Sequence, residues 1–78
     1  MEIVFDTNNS RYYIDTNLMT WKRDKTARSG NLLGIEAGPL ASIPDIIVGE
    51  RCLIAEGPSG HLITINTSPV RRILRVMG

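Results

Sequence analysis

Few residues of this 78-residue chain have the types and spacing that catalysis requires. Ser59, His61 and Asp45 carry the three groups of a hydrolase triad, but almost any small protein contains such a set. His61 follows a Gly-Pro-Ser-Gly run at 57–60, where a strand-edge position is the simpler interpretation. Cys52 lies in an apolar run with no neighbouring base, which is typical of a core residue. We therefore expect no catalytic residue and no enzyme.

The sequence also lacks the patterns of cofactor and metal sites. The run EGPSG at 56–60 has glycines but lacks the Lys of a phosphate-binding GxxxxGK[ST] loop, and no GxGxxG occurs. One cysteine and one histidine are too few for a zinc site with about four Cys/His ligands. We predict neither a cofactor nor a metal.

Two basic segments, 21–30 (WKRDKTARSG) and 67–78, are the best candidates for a binding surface. Such clusters attract acidic partners, although in small proteins they are more often only solvated loops. The predicted contact residues are Trp21, Lys22, Arg23, Lys25, Arg28, Arg71, Arg72 and Arg75.

Nucleic-acid binding is the alternative use of these residues. In a β-barrel, Tyr13 and Trp21 would stack on bases while the 21–30 loop and the C-terminal arginines follow the phosphates of a single strand. Against this, the pI of about 7.9 is below the values above ~9 expected of nucleic-acid-binding domains. The aromatic residues also have a spacing that suits a core. A protein partner therefore ranks first.

Short apolar runs separated by turn residues favour an all-β fold. EIVF, RYYID and LMTWKR predict a three-stranded meander in which Tyr12 and Ile14 face inward. A polar, basic loop should cover 24–31, followed by a strand at LLGIEA that ends at Gly-Pro. Pro44 limits the apolar segment 40–50 to a partly buried connection with at most one helical turn. RCLIAE and HLITINT, on either side of 57–60, predict a hairpin.

The C-terminal segment NTSPVRRILRV (66–76) fits two structures. Ser68 as N-cap and Pro69 in the first turn frame a helix, with apolar residues at helical spacing: Val70, Ile73, Leu74 and Met77. A strand requires a bend at Pro69 and leaves Arg72 out of the alternation. The local pattern alone slightly favours a helix.

Length and composition indicate a single domain, with 42% hydrophobic and 22% charged residues. A core this small gives a narrow stability margin, so a homodimer that buries more apolar surface is one expected state. The chain has no signal-peptide pattern, no apolar run near the ~18 residues of a membrane span, and one cysteine. These features predict a cytoplasmic protein with no membrane partner.

Three elements in order, SRYYID with a following WKR, then VGERCLI, then TINTSPVRRI, resemble a group of small proteins of actinobacterial phages, mycobacteriophages especially. The group pattern is an early Ser-x-Tyr strand, a basic patch, a Val-Gly-Glu turn and a closing Thr-Ser-x-Val-x-x-Ile. This chain departs from it by continuing with LRVMG. Members are generally of unknown function, and many such proteins are thought to act on host proteins or to be dispensable accessory factors.

The resemblance implies a phage origin, the host cytoplasm and a closing strand at TSPVRRI. A strand also agrees better with the all-β remainder of the chain, because a sheet of five or six strands needs its edge covered. A short C-terminal helix stays the alternative. We therefore expect one mostly-β domain across 1–78, an SH3-like or OB-like barrel or sandwich of six to seven strands. Its expected role is a non-enzymatic phage accessory module that binds a host or self protein.

Overall fold

The computed structural model describes residues 1–25, 35–56 and 63–77, which form six β-strands. The strands are β1 (Glu2–Thr7), β2 (Arg11–Asp15), β3 (Thr20–Asp24), β4 (Ile35–Pro39), β5 (Arg51–Glu56) and β6 (Ile63–Met77). All neighbours are antiparallel, in the order β4-β3-β2-β1-β6-β5, and the sheet curls into a half-barrel. The described residues contain no helix, so the predicted small mostly-β fold is confirmed.

The predicted meander corresponds to β1, β2 and β3. Tyr12 and Ile14 are buried, whereas Arg11, Tyr13 and Asp15 on the other face of β2 are only half-buried. Tyr12 lies opposite Phe5 of β1, and their rings stack with centroids 5.0 Å apart. Alternation of burial along β2 therefore sets which face of the sheet forms the core.

The predicted hairpin is also present, as β5 paired with the first half of β6. Ile54 lies opposite Ile65, and Glu56 lies opposite Ile63. Cys52 and Ile54 are buried while Leu53 is exposed, which confirms the predicted alternation. The turn at 57–60 and His61 lie outside the described residues, as do the predicted loop beyond Lys25 and the first residues of LLGIEA.

The two edge strands of the sheet approach each other through the segment after β4. Gly38 and Pro39, predicted to end that strand, are still part of β4. Leu40 forms a bridge with Glu56, and the Ala41 N–H donates to the Ala55 carbonyl at 2.8 Å. The chain from 41 to 47 then runs without a helical turn, in agreement with the prediction from Pro44.

The core occupies the concave side of the curled sheet. Its buried members are Phe5, Tyr12, Ile14, Trp21, Leu40, Cys52, Ile54 and Val70. Gly38 leaves room for the hydrogen bond between Trp21 and Glu56, because a Cβ there would overlap the Glu56 carboxylate and lie 3.0 Å from Trp21 Nε1. β1, β2, β3, β5 and β6 each contribute a buried apolar side chain, so the core depends on strands from across the sheet.

The C-terminal segment is a strand, not a helix, and the 15 residues of β6 pair with two different strands. Residues up to Pro69 pair with β5, and residues from Val70 onward pair with β1. Two register shifts against β1 leave Arg71 and Leu74 without opposing residues, as β-bulges do. The partners of Phe5 and Ile3 are consequently Ile73 and Val76, three positions apart.

Candidate interaction surface

On its side away from β1, the C-terminal half of β6 has no neighbouring strand among the residues that the structure describes. On the side away from β1, Val70 is the last paired residue: its N–H donates to the Glu50 carbonyl at 2.9 Å, and its carbonyl accepts from Gly49 at 2.8 Å. Beyond Val70, no strand within 1–25, 35–56 or 63–77 pairs with that side. Some N–H and C=O groups of 71–77 therefore face outward, as on any edge strand. We call residues 71–77 the β6 edge.

Apolar side chains accompany this edge. All seven residues of the β6 edge are exposed, and four of them are large hydrophobics: Ile73, Leu74, Val76 and Met77. Val76 is 58% exposed even though it lies opposite Ile3, which packs against the core. Exposed Val48 precedes Gly49, which bonds to Val70, so it lies where the free edge begins. Backbone and side chains together make this edge suited to another β-strand.

Arginines and bulges restrict which strand can pair with the β6 edge. Arg71 lies at one bulge, and Arg75 follows the other at Leu74. Charged side chains and bulges are the devices by which edge strands avoid indiscriminate pairing. A strand with acidic side chains beside these arginines would be favoured over a basic one, because opposite charges across a strand pair stabilise it.

The predicted contact residues fall on two separate strands. Trp21, Lys22 and Arg23 lie on β3 and Lys25 directly follows it, whereas the three C-terminal arginines lie on β6, with β2 and β1 between the two strands. Trp21 is only 3% exposed and its Nε1 donates to Glu56 Oε2 at 2.9 Å, so its ring belongs to the core. Arg28 lies outside the described residues.

Carboxylates of the same chain contact most of these cations. The salt bridges join Arg23 and Lys25 to Glu36, Arg72 to Asp6, and Arg75 to Glu2. Lys22 instead lies over the Tyr13 ring, 4.4 Å from its centroid. Hydrogen bonds from Lys25 and Arg23 hold the pKa of Glu36 below its ordinary value, so this carboxylate stays ionised at neutral pH. An incoming phosphate would have to compete with these internal partners.

Asp6 is the centre of one such cluster and is fully buried. Arg11, directly opposite on β2, donates to its two carboxylate oxygens at 2.8 and 3.3 Å. Arg72, opposite on β6, approaches from the other side at 3.5 Å. The hydrogen bond to Asp6 raises the pKa of Arg11 above its ordinary value. This cluster joins β2, β1 and β6 on the convex face of the sheet.

A polar cleft of about 470 Å³ lies at a different place. It is lined by residues 8–10 after β1, by Tyr12, Arg23 and Lys25, and by residues 66–68 of β6. The Asn9 side-chain amide donates to Ser68 Oγ at 2.7 Å, which links the loop to β6. Arg23 NH1 donates to the Tyr12 hydroxyl at 3.4 Å, and NH2 donates to Glu36. We call this the Arg23 cleft.

The remaining candidates for chemistry have structural roles or lie outside the described part of the chain. Cys52 is buried, and burial raises the pKa of its thiol to about 11, with a smaller contribution from Asp45. The thiol is therefore protonated at neutral pH, as expected of a core residue. Within 1–25, 35–56 and 63–77, no group of three or more His, Cys, Asp or Glu side chains is arranged to hold a metal.

Sequence patterns alone missed the most accessible surface. The strand interpretation places Val70, Leu74 and Val76 on one face and Arg71, Ile73 and Arg75 on the other, so Leu74 and Val76 were expected to face inward. The β6 edge is exposed because β5 ends its pairing at Pro69, which depends on tertiary register. The one sequence signal for the exposed β6 edge was that the chain continues with LRVMG beyond TSPVRRI.

Comparisons with protein-family models, curated proteins and solved structures found no match to this chain. Among the described residues, no helix has the length and apolar character needed to cross a membrane.

Proposed function

We propose that this protein is a non-enzymatic interaction module that binds a protein partner by strand addition to the β6 edge. The observation that carries the proposal is the side of 71–77 that pairs with no strand of the described chain, combined with exposed Ile73, Leu74, Val76 and Met77. Backbone hydrogen bonds would give affinity, and these side chains with Arg71 and Arg75 would give specificity. The partner is a host protein or a second copy of this chain.

The geometry favours a protein partner over a nucleic acid. Single-strand binders stack bases on exposed aromatic rings, but Trp21 is in the core and the Tyr13 ring is already in contact with Lys22. Arg23, Lys25, Arg72 and Arg75 have carboxylates of the same chain as neighbours. A gel-shift titration at two salt concentrations separates the alternatives, since phosphate-driven binding weakens steeply with salt.

The biological setting is part of the proposal. The resemblance of SRYYID, VGERCLI and TINTSPVRRI to small actinobacteriophage proteins supports an accessory role in the cytoplasm of an infected bacterium. There the partner strand would come from a host protein or from the phage itself. Genome context tests this setting, because phage structural or regulatory genes on both sides of the coding sequence are expected.

Capture from host lysate with matched variants tests the function. Val76→Lys places a charge on the β6 edge, while Leu18→Lys places one in the β2–β3 turn, where Leu18 is 73% exposed. Both residues are largely exposed, so both variants should fold. We expect wild type and L18K to recover the same partner, and V76K to bind it at least about tenfold more weakly. A partner that V76K recovers as well as wild type would contradict strand addition at this edge.

Light scattering of wild type, L18K and V76K shows whether the partner is a second copy of this chain or a different protein. If the partner is a second copy, wild type and L18K are dimers and V76K is a monomer at equal concentration. If wild type is a monomer, the partner is a different protein. A dimer that persists in V76K would show that copies associate through another surface.

A further inference from the structure

Seven of the ten large hydrophobic side chains that are exposed in the described chain lie in two short stretches. Four of them belong to the β6 edge. The other three lie in residues 43–48, which we call the 43–48 segment: Ile43, Ile47 and Val48. Gly49 and Glu50, which directly follow this segment, bond to Val70, which directly precedes the β6 edge. The two stretches therefore begin side by side, and together they form an apolar patch of the kind that marks a protein interface.

The 43–48 segment has the form of an unpaired strand. Ile43, Asp45 and Ile47 are exposed, whereas Pro44 is buried and Ile46 is half-buried. Such alternation is typical of an extended chain with one face on the protein. From 43 to 46, no backbone group forms a hydrogen bond with another residue that the structure describes. These backbone groups are available to a strand of another molecule.

Asp45 gives the 43–48 segment an unpaired negative charge. No cation within 1–25, 35–56 or 63–77 lies within salt-bridge distance of its carboxylate. Arg51, which lines the groove beside the segment, donates to the Thr67 carbonyl at 3.1 Å instead. The segment thus presents a carboxylate between two exposed isoleucines.

The β6 edge carries the opposite charge. Arg71 forms no salt bridge with any carboxylate of the described chain, whereas Arg72 and Arg75 contact carboxylates that are near them. The edge contains no acidic residue, so two β6 edges paired with each other would bring arginines together without a carboxylate. Like charges opposite each other destabilise a strand pair, and opposite charges stabilise it. The 43–48 segment is therefore a better complement to the β6 edge than a second β6 edge is.

We propose that two copies of this chain form a dimer in which the 43–48 segment of each copy adds as a strand to the β6 edge of the other. A two-fold interface requires a patch that is complementary to itself. A two-fold axis near the bond between Gly49 and Val70 would place the acidic stretch of each copy on the basic stretch of its partner. This dimer rests on the proposed strand addition to the β6 edge, and it identifies the strand that is added.

Charge reversal in the full-length protein tests the reciprocal contact. Asp45→Lys and Arg71→Glu each place like charges together in both contacts, so each variant should dimerise at least about tenfold more weakly than wild type. Light scattering over a dilution series measures this change. Both residues are exposed, so both variants should fold. An equal mixture of D45K and R71E again sets opposite charges together in both contacts and should dimerise as wild type does. Leu18→Lys, which adds a charge outside the patch, should have no effect.

The outcomes separate this dimer from strand addition in general. A wild type that is monomeric at every concentration would overturn the dimer, while a host protein could still add a strand to the β6 edge. D45K dimers as stable as those of wild type, or a mixture of D45K and R71E that stays monomeric, would overturn the contact with the 43–48 segment alone. A dimer that V76K does not weaken would contradict the β6 edge itself and therefore both proposals.

Discussion

At the scale of single residues, Asp6 shows how a residue in an apparent turn can have a structural role. Asp6 follows the apolar run EIVF and begins a run of residues typical of turns, DTNNS, yet it is the fifth residue of β1 and fully buried. Its carboxylate lies between Arg11 and Arg72, which come from the two neighbouring strands. A buried carboxylate needs such partners because an isolated buried charge is strongly unfavourable.

Replacing Asp6 with Asn should therefore destabilise the fold by about 1–3 kcal/mol, because two guanidiniums would face a neutral amide. Glu2→Gln is the matched control: it removes a carboxylate of the same strand whose contact with Arg75, at 3.4 Å, is exposed. E2Q should cost about 0–1 kcal/mol, as surface pairs do. Urea unfolding at pH 7 measures both, and equal losses would show that the Asp6 cluster contributes no more than a surface pair.

At the scale of elements, the bulges of β6 explain why the local sequence pattern of this strand favoured a helix. Bulges at Arg71 and Leu74 each add one residue to β6, so residues opposite Thr7, Phe5 and Ile3 are Val70, Ile73 and Val76. Spacing of three is close to the helical repeat and unlike the strand repeat of two. Arg72, which did not fit a regular strand, lies opposite Asp6 for the same reason. Periodicity cannot separate a helix from a strand with two bulges.

β6 has a register shift against β5 just before Pro69, and Thr67 lies within it. Between the pairs Arg51–Pro69 and Leu53–Asn66 the register shifts, and the Cys52 N–H donates to Thr67 Oγ1 at 3.0 Å instead of to a backbone carbonyl. Thr67→Val would leave this buried N–H without an acceptor. We expect a loss of about 1–3 kcal/mol in urea unfolding.

Thr67→Ser keeps the hydroxyl and should retain most of the stability that T67V loses. The Thr67 side chain is buried, so the removed methyl has some cost of its own. If T67S is as unstable as T67V, the methyl group and not the hydrogen bond accounts for the stability that Thr67 supplies.

At the scale of the whole molecule, the sequence predicted the elements better than the surface. Alternation at Tyr12 and Ile14, and again at Cys52 and Ile54, predicted strands and their buried faces, because period-two burial is local. The β6 edge and the Arg23 cleft could not be predicted from the alternation of apolar and polar residues. Each depends on which strands meet, and neither Asn9 nor Ser68 carries a sequence signal for its contact with the other.

The same limit applies to the basic segments. Counting charges predicted a binding surface made by the basic segments 21–30 and 67–78, but the fold places carboxylates distant in sequence beside several of their cations. Asp6 and Arg72 are 66 positions apart. Net charge in a segment therefore overstates the charge that a partner meets, and the exposed apolar edge becomes the stronger feature.

Amide hydrogen exchange of the protein with its captured partner, compared with the free protein, tests strand addition most directly. New backbone hydrogen bonds at the β6 edge would slow exchange at outward-facing amides within 71–77 and leave Tyr13 and Lys22 unchanged. V76K should lose this protection, and L18K should keep it. The proposed function would be contradicted if the partner bound while amide exchange at 71–77 stayed unchanged and another surface became protected.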